Sequence, residues 1–237
     1  MSDHILVVGA SSGIGRAVAE RWRRNSTVTA VARRADRLAT LSDQGINVLP
    51  CDVTNFEALE SAVTQAVERF GKLNALVYCA GLQMIKPLRS LKADDLNSVL
   101  SVNLLAPLWL AKCFASQRVS MPDAVFCVVS SVAAQRPEPG IVAYSVAKAG
   151  LDALIKGMAK ELGPRRAVGV APGWLDTEMT QGYKHIYNEE FQAALAKRSP
   201  AGVATVDSVV DVIEFLLSNK ARHVTGEVIT IDGGAIL

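Results

Sequence analysis

A tyrosine and a lysine stand four residues apart in the segment Tyr144-Ser145-Val146-Ala147-Lys148. In a helix this spacing puts the phenol and the ammonium on the same face. A phenol ordinarily titrates near pH ~10, but a neighbouring positive charge favours the phenolate and lowers the pKa. We therefore expect Lys148 to lower the pKa of Tyr144, so that Tyr144 acts as a general acid and base near neutral pH. The spacing alone is weak support, because such pairs also arise by chance.

A pair of serines adds to this hypothesis. Ser130-Ser131 directly follow the apolar run Val125–Val129, thirteen to fourteen residues before Tyr144. If that run is a strand, the serines lie at the carboxyl edge of a sheet, where open α/β sheets bind their ligands.

A glycine-rich loop follows the first apolar run, Ile5–Val8. It reads Gly9-Ala10-Ser11-Ser12-Gly13-Ile14-Gly15 and leads into a helical pattern. Glycines at these positions permit a tight turn, a close approach of the backbone to a pyrophosphate, and close packing of the helix on the strand. The helix N-terminus supplies free N–H groups, and Ser11 and Ser12 supply hydroxyls. The loop predicts a dinucleotide site, and the alternative is a purely structural turn.

The end of the second apolar run, Val28–Ala32, bears on the choice of dinucleotide. A carboxylate at this point bonds the adenosine ribose, whereas an arginine accommodates a 2′-phosphate. The chain continues with Arg33-Arg34, and its first acid, Asp36, comes later. Arg33, assisted by Arg34 or Arg16, therefore favours NADP(H) over NAD(H). The alternative is an ordinary solvated basic helix start.

The glycine-rich loop, the arginines, the serines and the tyrosine–lysine pair can form one site only if the fold brings them to the same edge of a sheet. Continuous apolar runs alternate with stretches of helical period, as expected when both faces of a parallel sheet are covered. This alternation implies right-handed crossovers, and no linker or repeat divides the chain. We predict one α/β domain over residues 1–237, a three-layer Rossmann fold with a seven-stranded, mainly parallel, doubly wound sheet. The predicted strands are Ile5–Val8, Val28–Ala32, Ile46–Leu49, Leu73–Val77, Val125–Val129, Ala167–Val170 and Val228–Ile231.

Two further segments have distinct patterns. An apolar stripe over Phe56–Phe70 predicts a helix that Thr54 and Glu57 cap at its start and Gly71 ends.

The lid segment, residues 174–205, contains no strand candidate. We expect it to be a lid over the binding site, with an ordinary pair of surface helices as the alternative.

Composition excludes several classes of protein. Half of the 237 residues are hydrophobic and 20% are charged, which excludes a disordered chain. A net charge of +2 gives no extended positive field, so nucleic-acid binding rests only on the arginine clusters at 21–24 and 33–37. No apolar run approaches the ~18 residues of a membrane span, and the start lacks the apolar core of a signal peptide. Four separated cysteines without a CxxC pair indicate core thiols of a cytoplasmic protein and no metal site.

Together these motifs resemble the short-chain dehydrogenase/reductase family, and the resemblance covers almost the whole chain. It implies that Tyr144 exchanges a proton with the substrate oxygen and that Ser131, rather than Ser130, holds this oxygen. Lys148 bonds the nicotinamide ribose and lowers the pKa of Tyr144, and Asn103 positions a water in a proton relay behind the lysine. The further segments that carry the resemblance are Cys51-Asp52-Val53, Cys79-Ala80-Gly81, Val102-Asn103, Pro172-Gly173-Trp174-Leu175-Asp176-Thr177, Thr225-Gly226 and Asp232-Gly233-Gly234.

The resemblance also implies a cofactor pocket beyond the glycine-rich loop and the arginines. Its members are Asp52 and Val53 at the adenine, Cys79, Ala80 and Gly81 near the adenosine ribose, Tyr144 and Lys148, Pro172 and Gly173, and Leu175 and Thr177 at the carboxamide.

Two departures from the family pattern affect this pocket. The usual Asn-Asn-Ala-Gly reads Tyr78-Cys79-Ala80-Gly81, so both amides are missing. The segment 163–170 is about two residues shorter than usual and lacks a common asparagine. Both departures bear on cofactor affinity rather than on the catalytic residues.

Within the family the chain looks most like the 3-oxoacyl-carrier-protein reductases. This likeness implies reduction of a β-keto thioester by NADPH, with acyl carrier protein as a partner and a homo-oligomer, tetramer or dimer, as the assembly. Trp174, Met179, Tyr183 and Tyr187 in the lid segment suit an acyl or a ring substrate equally, so other ketones, sugars and alcohols are alternatives. An alternative from a different class is a catalytically idle NADP(H)-binding sensor or assembly subunit.

Overall fold

The predicted strands form one sheet in the computed structural model, which describes residues 3–237. The strands are β1 His4–Val8, β2 Thr27–Ala32, β3 Asn47–Pro50, β4 Leu73–Tyr78, β5 Ser120–Val129, β6 Arg166–Pro172 and β7 Glu227–Ile231. Their order is β3-β2-β1-β4-β5-β6-β7, and all six neighbouring pairs are parallel. The doubly wound α/β fold is therefore confirmed, and the sheet is wholly rather than mainly parallel.

Helices connect successive strands. Within residues 3–237 they are α1 Gly13–Trp22, α2 Ala35–Ser42, α3 Phe56–Phe70, α4 Ala93–Leu100, α5 Ala106–Ala115, α6 Val142–Glu161, α7 Glu178–Gln181, α8 Glu189–Arg198 and α9 Val206–Leu217. A π-helical turn, Ser101–Leu105, joins α4 to α5. The lid segment contains α7 and α8.

Both faces of the sheet are covered, which explains the continuous apolar runs. Helices α1, α2 and α9 cover one face, and α3, α5 and α6 cover the other. In β1, Val7 shares a core with Ile213 of α9, whereas Leu6 shares the opposite core with Phe114 of α5. Because successive strand residues point to opposite faces, both positions must be apolar.

The start of α3 differs from the prediction. The N-cap is Asn55, whose side chain accepts a hydrogen bond from the Ala58 N–H at 3.0 Å. Thr54 does not cap the helix, because its N–H and hydroxyl both donate to Asp52 Oδ1, at 3.0 and 2.8 Å. The end is as predicted, with Gly71 after the last helical residue at φ 86°.

One helical stretch, Ala93–Ala115, is long and apolar enough to cross a membrane by length and composition alone. It comprises α4, the π-helical turn and α5. Leu110 and Phe114 on its second half are fully buried in the core against the sheet, and Phe114 lies edge-on to Phe126 of β5. These contacts are those of a core helix.

The strand order reverses at β1, which lies between β2 and β4. Connections that leave the carboxyl ends of β1 and β4 therefore diverge to opposite faces of the sheet, and a crevice opens between them. The loops that follow these two strands begin at Gly9 and Cys79. This crevice is where the sequence places its candidate site.

Candidate functional site

A cleft along the carboxyl edge of the sheet brings together all but two of the predicted site residues. The two exceptions are Gly15 and Asn103, which lie beneath its surface. The predicted residues that line the cleft are Gly9, Ser11, Ser12, Gly13, Ile14, Arg33, Arg34, Asp52, Val53, Cys79, Ala80, Gly81, Ser131, Tyr144, Lys148, Pro172, Gly173, Leu175 and Thr177.

The glycine-rich loop makes close contacts that no side chain would permit. Gly9 has φ +89°, and a Cβ built there would lie 2.4 Å from the Ala80 nitrogen. A Cβ on Gly15 would lie 2.4 Å from the Gly9 oxygen, so Gly15 lets α1 pack against β1 without facing the cleft. The loop therefore exposes backbone and the first turn of α1, which is the arrangement that binds phosphate groups.

Arg33 is an exposed cation where the cleft passes the carboxyl end of β2. Its side chain is 77% exposed, and its Nη1 lies 3.8 Å from Asp52 Oδ2. The pKa of Asp52 is lowered, mainly by the hydrogen bond from the Thr54 N–H. Arg33 thus has donors available for an anion.

Arg34, by contrast, is fully engaged. Its guanidinium donates to the hydroxyls of Ser11 and Ser12 and to both carboxylate oxygens of Glu178, at 2.9–3.2 Å. Arg37 also donates to Glu178, at 2.6 Å. Sequence reasoning missed Glu178, because no local pattern pairs it with residues more than 140 positions earlier.

Tyr144 lies in the first turn of α6 and is almost completely buried. Burial raises the pKa of this phenol to about 12, although the Ser131 side chain opposes the shift. The expected lowering of the pKa by Lys148 is therefore wrong for this state of the protein. Desolvation disfavours the phenolate more than the hydrogen bond with Ser131 favours it.

Lys148 is buried one helical turn further along α6. Its ammonium donates to the backbone carbonyl of Val129 at 2.7 Å and lies 5.6 Å from the centre of the Tyr144 ring. Burial lowers the pKa of Lys148 to about 8. The ammonium is thus held at the carboxyl end of β5, directly beneath the cleft.

The two serines after β5 have different surroundings. The Ser130 hydroxyl is buried and donates to the Lys148 carbonyl at 3.2 Å and to Asp152 at 3.3 Å. The Ser131 hydroxyl accepts from the Ala133 N–H at 3.2 Å and faces Tyr144. Only Ser131 therefore presents its hydroxyl beside the phenol.

Asn103 sits within the π-helical turn and is fully buried. Its amide nitrogen donates to the carbonyls of Leu82 and Val99, and its Oδ1 accepts from the Leu82 N–H at 3.2 Å. A Cβ built on Gly81 would lie 3.4 Å from this Oδ1 and 3.8 Å from the Lys148 nitrogen. Asn103 thereby fixes the loop after β4 against the buried lysine.

The altered motif after β4 is well integrated. Tyr78 is fully buried, and its hydroxyl donates to the Val102 carbonyl at 2.5 Å, which ties β4 to the π-helical turn. The Cys79 N–H donates to the Val8 carbonyl at 2.8 Å, and burial raises the pKa of the Cys79 thiol.

The shortened segment 163–170 does not disturb β6. This strand pairs with β5 and with β7, the latter up to Pro172.

Aromatic residues of the lid segment form one wall of the cleft. The ring of Trp174 lies 6.2 Å from Tyr187 and 6.0 Å from Phe191, both edge-on. The Tyr187 hydroxyl accepts from the Gln83 side chain at 2.6 Å, and the Tyr183 hydroxyl donates to the Gln83 carbonyl at 3.2 Å. Gln83 therefore fastens the lid segment to the loop after β4, a role that the sequence did not reveal.

Known proteins provide an independent comparison. A family profile described as Enoyl-(Acyl carrier protein) reductase matches residues 9–235. The chain is 36% identical over 240 residues to the D-erythrulose reductase of Gallus gallus, covering 98% of this chain and 95% of that protein. It is 30% identical over 242 residues to a 3-oxoacyl-[acyl-carrier-protein] reductase of Thermotoga maritima, covering 98% of this chain and 97% of that protein.

Solved structures agree with this comparison. A glucose/ribitol dehydrogenase of the short-chain dehydrogenase/reductase type from Brucella melitensis is similar with a TM-score of 0.92 and 26% identity. The similarity covers 99% of this chain and 97% of that one, so the whole fold is shared.

Proposed function

Because the chain belongs to the short-chain dehydrogenase/reductase family of oxidoreductases, we propose that it uses NADP(H) to reduce a carbonyl group to an alcohol, with Tyr144 as the proton donor. The observation that carries the proposal is the convergence of Ser131, Tyr144 and Lys148 on the cleft that the glycine-rich loop also lines. Phosphate-binding backbone and acid–base side chains then serve one bound dinucleotide.

The residues present suit a phosphorylated dinucleotide. Gly9 and Gly13 line the cleft and leave the backbone free of side chains where a pyrophosphate needs close approach, and Arg33 offers an exposed cation for a 2′-phosphate. Asp52 and Val53 would flank the adenine at the same end of the cleft. When bound, NADP(H) supplies the hydride, and the protein supplies the proton and the positioning.

The acid–base groups fit the direction of reduction. A Tyr144 pKa of about 12 keeps the phenol protonated at neutral pH, so it holds a proton for the oxygen that becomes an alkoxide. Ser131 would donate a hydrogen bond to that oxygen and fix it beside the phenol. The Lys148 ammonium would stabilise the negative charge left on Tyr144 after the proton moves.

For the substrate, we propose a 3-oxoacyl thioester carried by acyl carrier protein. The aromatic wall of Trp174, Tyr187 and Phe191 offers apolar surface for an acyl chain next to Ser131 and Tyr144. A second candidate is a small hydroxyketone or sugar, which the 36% identity to a D-erythrulose reductase favours.

We further propose that the protein is a homo-oligomer in the cytoplasm. Leu105 of the π-helical turn, Leu108 of α5 and Val146 of α6 expose 41–59% of their surface, and Leu105 and Leu108 line one apolar hollow that a second copy would cover. The four cysteines are free thiols, as is typical of a reducing compartment.

The proposal is tested with NADPH, a panel of acetoacetyl thioesters and small hydroxyketones, and the variant Tyr144→Phe. We expect turnover to fall by about a hundredfold or more while NADPH binding, measured by calorimetry, is retained. Tyr183→Phe, which removes a hydroxyl of the lid segment outside the cleft lining, is the matched control and should keep most activity.

Two results would contradict the proposal. If Tyr144→Phe reduced the carbonyl substrates as fast as the wild type, the Tyr144 phenol would not be the proton donor. NADPH binding by the wild type without turnover on any carbonyl of the panel would favour the alternative, a non-catalytic NADP(H)-binding sensor or assembly subunit.

A further inference from the structure

Arg34 joins three parts of the molecule through five hydrogen bonds. Its Nε and Nη2 donate to Ser11, Nη2 also donates to Ser12, and Nη1 donates to both oxygens of Glu178. A guanidinium has five N–H donors, so Arg34 has none left for another ligand unless one of these bonds breaks.

Glu178 opens α7, the first helix of the lid segment. It accepts from Arg34, which lines the cleft shortly after β2, and from Arg37 in α2. The preceding residue, Thr177, lies close to the glycine-rich loop, because a Cβ built on Gly13 would be 3.7 Å from its Cγ2. The lid segment is therefore fastened across the phosphate end of the cleft.

We propose that the Glu178 carboxylate competes with the cofactor phosphate for Arg34 and Arg37. In the cofactor-free protein the contacts of Glu178 with these two arginines, here called the latch, hold the lid segment closed until a phosphorylated dinucleotide displaces the carboxylate. The inference rests on the proposed use of NADP(H). Arg33 remains the exposed cation that first meets the 2′-phosphate, while Arg34 is shared between the lid segment and the loop.

The chemistry of the latch favours displacement by an anion. A phosphate presents three oxygens and more charge than a carboxylate, so it is the stronger acceptor for two guanidinium groups. The hydrogen bonds from Arg37 and Arg34 lower the pKa of Glu178, so the carboxylate stays ionised at neutral pH. Both ion pairs are about 40% exposed, and exposed pairs of this kind are weak enough for a ligand to break.

Calorimetric titration of NADPH and NADH into the wild type and Glu178→Gln tests the latch. The substitution keeps the size of the side chain and removes its charge. We expect the Kd for NADPH to fall by about fivefold, with a change of less than about twofold for NADH, which has no 2′-phosphate. The matched control is Glu190→Gln, an exposed carboxylate of the lid segment without an ion pair among residues 3–237, which should change neither constant.

Hydrogen–deuterium exchange of the cofactor-free proteins provides a second readout. Amides around residues 177–183 should exchange faster in Glu178→Gln than in the wild type or Glu190→Gln, because the latch no longer holds α7. Equal or weaker NADPH binding by Glu178→Gln, or unchanged exchange, overturns the latch.

The outcomes also separate the latch from the coenzyme assignment. If the wild type binds NADH alone and Glu178→Gln gains NADPH binding, the latch stands and the assignment of NADP(H) to the wild type fails. If neither protein binds NADPH, both proposals are wrong.

Discussion

The ammonium nitrogen of Lys148 lies 5.6 Å from the centre of the Tyr144 ring, yet burial rather than their mutual interaction governs the proton affinity of both groups. The pKa of Tyr144 rises to about 12 and that of Lys148 falls to about 8. Each shift favours the neutral form of its group, as expected of ionisable groups without water around them. The site therefore contains a buried amine whose charge has a cost in stability.

Replacing Lys148 with methionine should stabilise the cofactor-free protein while abolishing its function. The lowered pKa means that the folded protein holds the ammonium less favourably than the unfolded chain does. We expect the free energy of unfolding to rise by about 1–3 kcal/mol at neutral pH, measured by urea denaturation, with NADPH binding and turnover lost. Lys156→Met, an exposed position on the same helix, is the control.

The difference in free energy of unfolding between Lys148→Met and the wild type should change with pH in a definite direction. Between a pKa of about 8 in the folded state and the ordinary value near 10.5, the unfolded chain binds more protons, so wild-type stability rises with pH in this window. The excess in free energy of unfolding of Lys148→Met over the wild type should therefore shrink from about pH 8 upward. A variant that is less stable than the wild type throughout would show that the bond to Val129 outweighs the cost of burial.

Arg33→Ala should weaken NADPH binding far more than NADH binding. Arg33 is 77% exposed and pairs only loosely with Asp52, so its donors are available to a 2′-phosphate. Loss of a charge-assisted contact of this kind corresponds to about a tenfold or larger increase in Kd. Arg24→Ala, an exposed arginine just after α1, is the control, and calorimetry measures both cofactors. Equal losses for NADPH and NADH would show that Arg33 touches no 2′-phosphate.

The elements that the sequence predicts correctly are those with a local pattern. Continuous apolar runs give the strands, since each must be apolar on both faces, and the glycine spacing gives the loop after β1. Ser131, Tyr144 and Lys148 meet because the end of β5 places the serine and one face of α6 places the other two, each by a local pattern.

The features that the sequence did not predict depend on competing or distant partners. Thr54 has the spacing of a cap, but Asp52 takes both of its donors, so the adjacent Asn55 caps α3. Glu178 and Arg34 meet across 144 positions. The pKa of Tyr144 follows from burial, which spacing along a helix does not reveal.

Acid should destabilise the protein through His4 at the start of β1. His4 is buried, with Nδ1 2.8 Å from the Gly71 carbonyl and Nε2 3.0 Å from the Thr29 hydroxyl, an arrangement that suits the neutral ring. Its pKa is lowered by burial, so the unfolded chain binds a proton more readily and stability falls as the pH drops below about 6.5. Between about pH 7 and pH 5 the wild type should lose on the order of 1 kcal/mol more than His4→Gln, measured by urea denaturation. His223→Gln, at an exposed histidine, should lose as much as the wild type.

Leu108→Glu should convert the proposed oligomer to smaller species. Leu108 is 50% exposed on α5 and lines an apolar hollow with Leu105, where a carboxylate would have to be buried without a partner if a second copy covered it. Light scattering after size-exclusion chromatography gives the mass. The control is Phe215→Glu, which places the same charge at a 42% exposed aromatic residue on α9, on the opposite face of the sheet. If Phe215→Glu dissociates the assembly and Leu108→Glu does not, the subunits associate through the α9 face instead.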